Sequence, residues 1–552
     1  MKKPFYKKKR YIFPFIFLIL ILGLIIFFEV TVHLDPPVIS DTSALKLQRK
    51  KIDNNFYTLE GSWLKKNKYG LWELYLNGND FELGVKNGIL AKELIDYQEE
   101  AFVESIKEII PSNFYLSFLK YFVAWFNKDI DTHVPLEYKR EVYGISLNAS
   151  KEYDFIAPNY HRILNYHAAH DIGHALQNLN LVACTAFGVN SSRSEDSTLL
   201  IGRNMDFYTG DKFAENKIIA FYKPDSGYNF TFITWGGLIG VLTGMNDQGL
   251  TITINAAKSN IPSSAKTPVS ILARKILQYA STIDEAYKIA SSYETFVSES
   301  FLIASAKDKH MAIIEKSSDK IGMYERNDDE IILTNHYQGE TFKNSEMTIE
   351  NRKESGSVYR WERTEELLKE KEKHNVSSFA TILRDQKGKG GKNIGMGNEK
   401  AINQLLAHHS VIFKPEQLQI WVSTSPYQLG EYIVYDLNTI FSDTLDFYSD
   451  VFDSSLTIKA DPFINSEEYI KFKKYKEITK LLQKNLNQES IKPFDEDFFE
   501  NYRKLNPEYY YTSYIIGEYY RKIKNKNKAL KYYKMALQKE IPRQDEVNLI
   551  KE

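Results

Sequence analysis

The chain predicts an α+β protein in which β-sheets are stacked between helical layers. Three observations predict it. Short β-rich runs crowd the stretch after Ala183, helices divide those runs into two sets, and helical periodicity dominates before and after them. The 552 residues allow two or more domains and a sizeable core. With 43% hydrophobic and 26% charged residues the composition is globular, and a net charge of −1 gives no electrostatic pull toward nucleic acid. No nucleic-acid partner is therefore expected.

The first element is apolar. Lys2, Lys3, Lys7, Lys8, Lys9 and Arg10 precede a run from Tyr11 to Phe28, long enough to span a bilayer. The basic flank stays cytoplasmic and sends the rest of the chain outward. A cleaved signal peptide is the rival reading. The run is long for such a peptide, and Phe27-Phe28-Glu29-Val30 offers no small-residue cleavage site. Residues 1–30 are thus read as a signal anchor, with the catalytic part on the extracytoplasmic side. Residues 31–69, with Asp35-Pro36-Pro37, read as an extended tether.

Residues 70–183 read as a mostly helical pro-segment. A strand-like run, Leu71 to Leu76, enters the turn Gly78-Asn79-Asp80, and a helix follows from Phe81 to Ile110, stopped by Pro111. Gly84 and Gly88 share a helix face. Glycine weakens a helix, so that face is expected to pack closely on a neighbour. From 184 to 440 the pattern turns β-rich, as one domain. Strands are expected at 198–203, 218–222, 230–235, 238–244 and 250–255, then helices at 269–279 and 283–291. Further strands at 300–305, 311–315, 320–324 and 331–334 precede a charged helix over 358–370, and the last strands fall at 409–414, 419–423 and 432–436. Residues 441–465 read as a linker. Residues 466–552 read as helices, in which Gly517, Tyr520, Ala529, Tyr533 and Ala536 follow a tetratricopeptide-like spacing; a generic helical hairpin is the other reading.

Cys184 is the single cysteine, so it can form no intrachain disulfide. In an exported chain, where cysteines are usually paired, a lone thiol is either buried and inert or kept for its chemistry. Thiolate is the best side-chain nucleophile at neutral pH, but it needs a base, and no local pattern places a histidine beside Cys184. Scission of the Ala183–Cys184 bond would supply one. It frees an α-amine with a pKa of roughly 7.7–8.0, able to take the thiol proton directly or through a water. His167, His170, Asp171 and His174 have helical spacing, yet the His-Glu-x-x-His pattern is absent. They read as ordinary core or surface residues, as do His408 and His409, and no metal is assigned. Gly388-Lys389-Gly390-Gly391-Lys392 lacks the spacing of a phosphate loop and reads as a mobile loop at the edge of the substrate entrance.

Around Cys184-Thr185 the motifs form an ordered series: Gly202-Arg203-Asn204-Met205-Asp206, Gly244-Met245-Asn246-Asp247-Gln248-Gly249-Leu250, Thr334-Asn335-His336, Ser357-Val358-Tyr359-Arg360 and His409-Ser410-Val411, with Gly78 to Gly84 upstream. The series, over residues 70–440, resembles the cysteine-type amino-terminal-nucleophile hydrolases, most of all the acyl-coenzyme A:6-aminopenicillanic acid acyltransferase branch, with the choloylglycine (bile salt) hydrolases as cousins. The resemblance implies a four-layer αββα sandwich and self-cleavage before Cys184. It implies Cys184 as nucleophile, Arg203 as the charge favouring thiolate, Asp206 as acceptor for the new α-ammonium, Asn255 and Asn335 as oxyanion donors, and Arg360 as a further site residue. The expected activity is that of a membrane-anchored hydrolase or acyltransferase acting on a non-peptide C–N amide bond through a Cys184 thioester. Water as acceptor gives hydrolysis; a second amine gives acyl transfer. No cofactor is implied. The expected partners are a small-molecule amide, the membrane through the N-terminal helix, and a protein at the helical tail. The alternative is a catalytically inactive scaffold whose tail binds protein.

Overall fold

The computed structural model describes residues 5–109, 112–175, 183–207, 210–258, 264–295, 297–326, 328–488 and 490–552. Lys2 and Lys3 of the basic flank, and Pro111 at the expected helix stop, lie outside the described residues. The chain opens with helix α1 (Phe5–Val32) and continues through strands β1 (Lys50–Asp53), β2 (Phe56–Leu59), β3 (Ser62–Lys66) and β4 (Trp72–Gly78). Helices α2 (Asp80–Leu90), α3 (Lys92–Ile109), α4 (Asn113–Phe126), α5 (Ile130–His133), α6 (Leu136–Ser146) and α7 (Asn159–Ala175) lead toward the cysteine. Past it run β5 (Thr185–Val189), β6 (Leu200–Met205), β7 (Ile218–Pro224), β8 (Phe230–Thr234), β9 (Thr243–Asn246) and β10 (Leu250–Ala256), then α8 (Val269–Tyr279) and α9 (Ile283–Ser291). Strands β11 (Glu299–Ser305), β12 (His310–Lys316), β13 (Ile321–Tyr324) and β14 (Glu330–Leu333) precede α10 (Glu346–Glu354), α11 (Ser357–Lys369) and α12 (Val376–Leu383). The domain closes with β15 (His409–Lys414), β16 (Gln419–Ser423), β17 (Tyr432–Asp436), α13 (Leu437–Ile440) and β18 (Asp453–Ile458). The C-terminal helices are α14 (Glu467–Leu486), α15 (Glu496–Leu505), α16 (Tyr510–Lys522), α17 (Lys526–Ala536) and α18 (Gln544–Lys551).

The strands form two sheets, of order β1-β2-β3-β4-β7-β8-β9-β10-β11-β12-β13 and β14-β5-β6-β15-β16-β17-β18. Alternation along each strand sends side chains to opposite faces, and both faces are covered. In β7, Ala220 and Tyr222 face helices α2 and α6–α9, where they meet Leu83, Val142 and Leu272, while Ile219 and Phe221 face the second sheet. In β15, Val411 and Phe413 meet that inter-sheet core, and Ile412 turns to Phe379 and Leu383 of α12. The layer order is therefore helix, sheet, sheet, helix, read from the chain's own three cores.

Gly84 and Gly88 behave as their spacing predicts. A Cβ on Gly84 would lie 2.0 Å from the Glu141 carbonyl oxygen, and one on Gly144 of the facing helix would lie 2.6 Å from Val85 N. Backbone thus meets backbone where α2 crosses α6.

Four expectations need correction. The tether over 31–69 contains β1–β3, which extend the larger sheet through β3–β4 pairing; their alternation is too short to stand out from a polar stretch. The helix expected from 81 to 110 is two helices that meet at Ala91, whose N–H caps Asn87 O and whose carbonyl starts the next helix. No glycine or proline marks the break. The linker over 441–465 supplies β18, paired with β17. The strand expected at 238–244 begins only at Thr243, because Ile239 N–H binds His167 Nε2 and Val241 N–H binds Ser270 O instead of a ladder partner.

The C-terminal helices pack on the two-sheet domain. Helices α16 and α17 form an antiparallel hairpin, with Tyr520 stacked on Tyr532 and Gly517 under Tyr533. Leu405 of the two-sheet domain is buried in the core that α14–α17 build. The Gly388–Lys392 loop, expected to be mobile and to edge the substrate entrance, is instead pinned: Lys389 pairs with Glu362 of α11 and Lys392 with Glu540 beyond α17.

Candidate active site

Cys184 stands at the start of β5 and is 1% exposed. In the β5–β6 ladder Ala186 faces Arg203. Because side chains alternate, Cys184 and Arg203 fall on the same face, the one turned toward the other sheet. Arg203 Nη2 lies 3.5 Å from Cys184 Sγ. The guanidinium also spans the gap between the sheets, donating to Leu242 O at 2.9 Å, to Thr243 Oγ1 and to Ile254 O. Burial pushes the thiol pKa up; Arg203 opposes this most, helped by the Asp206 backbone N–H and Arg360.

Asp206 follows the end of β6. Its backbone carbonyl accepts from Ala183 N–H at 2.9 Å. Its carboxylate is 1% exposed, and neither oxygen has a hydrogen-bond partner among the described residues. Burial raises its pKa to about 8, against the lowering pull of Arg360 and Arg203. In the unbroken chain it is thus a largely neutral acid with unused bonding capacity, beside the cysteine.

Arg360, on α11, donates to Cys184 O at 2.5 Å, to Thr185 Oγ1 at 3.0 Å and to Asn335 Oδ1 at 2.9 Å. Arg363, three residues on, turns away to pair with Asp385. Asn335 lies just past β14, its N–H held by Ser357 Oγ at 2.7 Å. Its Oδ1 accepts from Cys184 N–H at 2.8 Å and its Nδ2 donates to Ala256 O at 2.9 Å. Both groups on Oδ1 are pure donors and the group on Nδ2 is a pure acceptor, so the amide orientation is fixed.

Asn335 thus presents its Oδ1 as an acceptor to the nitrogen of Cys184. Asn255 lies on β10. Its Nδ2 donates to Leu333 O and Thr334 O, both at 3.2 Å, stitching β10 to the end of β14. Both of its amide contacts are to the backbone.

The structure brings Cys184, Arg203, Asp206, Asn335 and Arg360 together. It adds Gln404, whose Nε2 donates to Ala183 O at 3.2 Å. No local signal marks Gln404, which sits in an aperiodic segment. Among the sequence's histidines, His167 is a core residue with Nδ1 on Ile163 O and Nε2 on Ile239 N–H, and burial lowers its pKa to about 4. The side chains of His170 and His174 lie outside the described residues; Asp171 accepts from Val269 N–H at the start of α8. Buried His409 bonds to Thr243 Oγ1 at 2.8 Å and to His408 at 2.9 Å, behind Arg203.

A small cavity of about 50 Å³ is walled by Phe102, Tyr166, Phe207, Phe213, Trp235 and Leu238, and none of Cys184, Arg203, Asp206, Asn335, Arg360 and Gln404 lines it. Phe207 is the neighbour of Asp206 in the chain and stacks on Trp235. Glu99, also in the wall, is tied up by Arg162 and by Tyr166 OH at 2.7 Å, so the open surface is mainly aromatic.

Residues 192–424 match the model of a family described as acyl-coenzyme A:6-aminopenicillanic acid acyl-transferase. A protein of Archaeoglobus fulgidus, described only as uncharacterized, is 23% identical over 309 residues, 49% of this chain and 50% of that protein. The chain therefore spans about half the length of the curated relative it matches. Similar solved structures include a Caenorhabditis elegans N-acylethanolamine-hydrolyzing acid amidase ortholog, 17% identical over 42% of this chain and 93% of that one, with a TM-score of 0.31. A mutant of conjugated bile acid hydrolase from Clostridium perfringens is 16% identical over 50% of this chain and 97% of that one, with a TM-score of 0.32.

Proposed function

We propose that the chain, whose residues 192–424 match the model of the acyl-coenzyme A:6-aminopenicillanic acid acyl-transferase family, is a self-processing, membrane-anchored cysteine enzyme that cleaves or transfers across a non-peptide amide bond. One observation carries this reading: every polar group of the Ala183–Cys184 segment is held. Ala183 N–H meets Asp206 O, Ala183 O meets Gln404, Cys184 N–H meets Asn335 and Cys184 O meets Arg360. A surface-tolerant loop has no need of such a grip, whereas a bond to be cut must be oriented to the attacking atom within fractions of an ångström.

In this reading the thiol attacks the Ala183 carbonyl, collapse of the adduct breaks the C–N bond and frees the α-amine of Cys184, and water then hydrolyses the Ala183 thioester to restore the thiol. Asn335 Oδ1 already accepts from that nitrogen and keeps it in place. The amine then acts as base toward the thiol and as acid toward the leaving amine of the substrate. Once ammonium forms beside it, Asp206 has a cation to pair with, which draws its pKa down. Arg203 favours the thiolate. Arg360 holds the Cys184 carbonyl, so the residue keeps its position after the bond before it is gone. The acyl group passes to Cys184 as a thioester, and water or an amine takes it.

Membrane attachment is supported by α1, whose segment Phe13–Val32 is the one helix among the described residues long and apolar enough to cross a bilayer. Beside its C-terminal end lies α4, with Phe118, Tyr121, Phe122 and Trp125 exposed. Phe28 stacks on Trp125 and meets Tyr121 edge-on. Aromatic residues at that level match the interface of a membrane.

The test is the mass of the purified protein in detergent. Wild type is expected as two fragments, the larger beginning at Cys184, and Cys184→Ala as one intact chain. A fully active wild type that remains unbroken defeats the proposal.

A further inference from the structure

Gln404 lies 221 residues along the chain from Ala183, whose carbonyl oxygen it touches, and its position is over-determined. On one side Asn204, on the face of β6 opposite Arg203, donates to Leu383 O at 2.8 Å and Ile402 O at 2.9 Å. Asn403 N–H donates to Asp385 O at 2.8 Å. On the other side Leu405 is buried among the C-terminal helices with a φ of 54°. A leucine in the left-handed region is costly and persists only where its surroundings enforce it. The same segment is gripped upstream: Met396 and Asn506 exchange two hydrogen bonds, at 3.0 and 2.8 Å. A Cβ on Gly395 would lie 2.3 Å from Tyr509 N. Gln404 itself is 1% exposed, and its Nε2 is aimed at Ala183 O.

We propose that Gln404 is the hydrogen-bond donor that receives the oxyanion of the self-cleavage step, on a segment held in place by the C-terminal helices. This rests on the self-processing reading above. The Cys184 sulfur forms a bond to the Ala183 carbonyl carbon, and the carbonyl oxygen becomes the oxyanion. Collapse breaks the Ala183–Cys184 C–N bond; the proton given up by the thiol ends on the departing nitrogen, which becomes the α-amine. Water then displaces sulfur from the thioester, leaving an Ala183 carboxylate and restoring the thiol. The charge builds on the atom Gln404 already contacts. A carboxamide serves because it donates without titrating, and it is the one described side chain bonded to that oxygen. Asn255 and Asn335, whose amide hydrogens are directed at backbone carbonyls, do not compete for it.

The experiment follows pulse-labelled full-length chain, synthesised with lipid vesicles, through a chase with and without hydroxylamine, which intercepts the thioester. Gln404→Met keeps the shape without the donor, and Gln404→Glu keeps the shape and replaces the donor with an acceptor. Both are expected to slow scission by about 10²-fold, the typical loss for one oxyanion donor. Hydroxylamine should not restore the rate, because the defect precedes the thioester. The thermal midpoint of Gln404→Met in a Cys184→Ala background should match that of Cys184→Ala alone, which separates this role from misfolding. Variants that cut at the wild-type rate, or that hydroxylamine restores to it, overturn the role of Gln404 alone. A wild-type chain that stays whole overturns self-processing and this proposal with it.

Discussion

Arg203 and Arg274 are both buried guanidinium groups, 0% and 1% exposed, and they solve the same problem in opposite ways. Arg274, on α8, is closed. It donates to Gln278 Oε1, to Ile239 O and to Glu141 Oε2 at 3.0, 3.1 and 3.2 Å, and lies over the rings of Tyr222 and Phe230. Its charge is matched by a carboxylate, although burial still lifts the Glu141 pKa to about 7. Arg203 is open. Its partners are two backbone carbonyls, a hydroxyl and a thiol, and its Nε has none among the described residues. The nearby carboxyl, Asp206, is bonded to nothing described. A closed pair gives a fixed structure; an unmatched cation beside an unmatched acid leaves electrostatic capacity for species that form during a reaction.

The contrast breaks most directly at Arg203. Arg203→Met is expected to lower turnover of an amide substrate by about 10²-fold or more and to raise the pH at which Cys184 alkylates by about 1–3 pH units. Alkylation rates measured against pH would check this, and an unmoved profile would make Arg203 as structural as Arg274. The counterpart is Arg274→Met. It strands Glu141 and should cost about 3–5 kcal/mol in denaturant unfolding, while Arg274→Met with Glu141→Leu recovers most of that loss. Both variants should still cut before Cys184; loss of scission in the double variant would join the two arginines in one function.

A pH-dependent effect concerns Asp206. Its pKa rises from 3.8 in the unfolded chain to about 8 on burial. The proton is held more tightly in the folded state, so the stability it contributes is complete below about pH 4 and is lost as pH rises through about 8. In a Cys184→Ala background, Asp206→Asn is free of this loss. Its melting temperature should therefore gain on the parent as pH goes from 4 to 8.5. A constant difference across that range would mean that Asp206 is ionised and satisfied in the intact chain.

Much of the layer order is legible in the sequence. Strands β15, β16 and β17 and helices α8 and α9 fall where periodicity places them, because each buries side chains at its own regular spacing. The glycines of α2 mark a close crossing for the same local reason. Strands β1 and β18 escape such a reading because exposed edge strands carry little apolar alternation, and β2 and β3 because they are only four and five residues long. At the site, the motif series names Cys184, Arg203, Asp206, Asn335 and Arg360, and the structure gathers all five. The series does not name Gln404, and it does not say which end of the Asn335 or Asn255 amide meets which neighbour.

What the chain alone determined is residue chemistry and local periodicity: one thiol, a basic flank before an apolar span, strands and helices in a recognisable sequence, a guanidinium three residues before a carboxylate. Tertiary structure decided direction. A carboxamide carries a donor at one end and an acceptor at the other, and only its neighbours in space choose which end meets the reacting atom. For Asn335 and Gln404 those neighbours arrive from remote parts of the chain, once the two sheets and the C-terminal helices have closed around the Ala183–Cys184 bond.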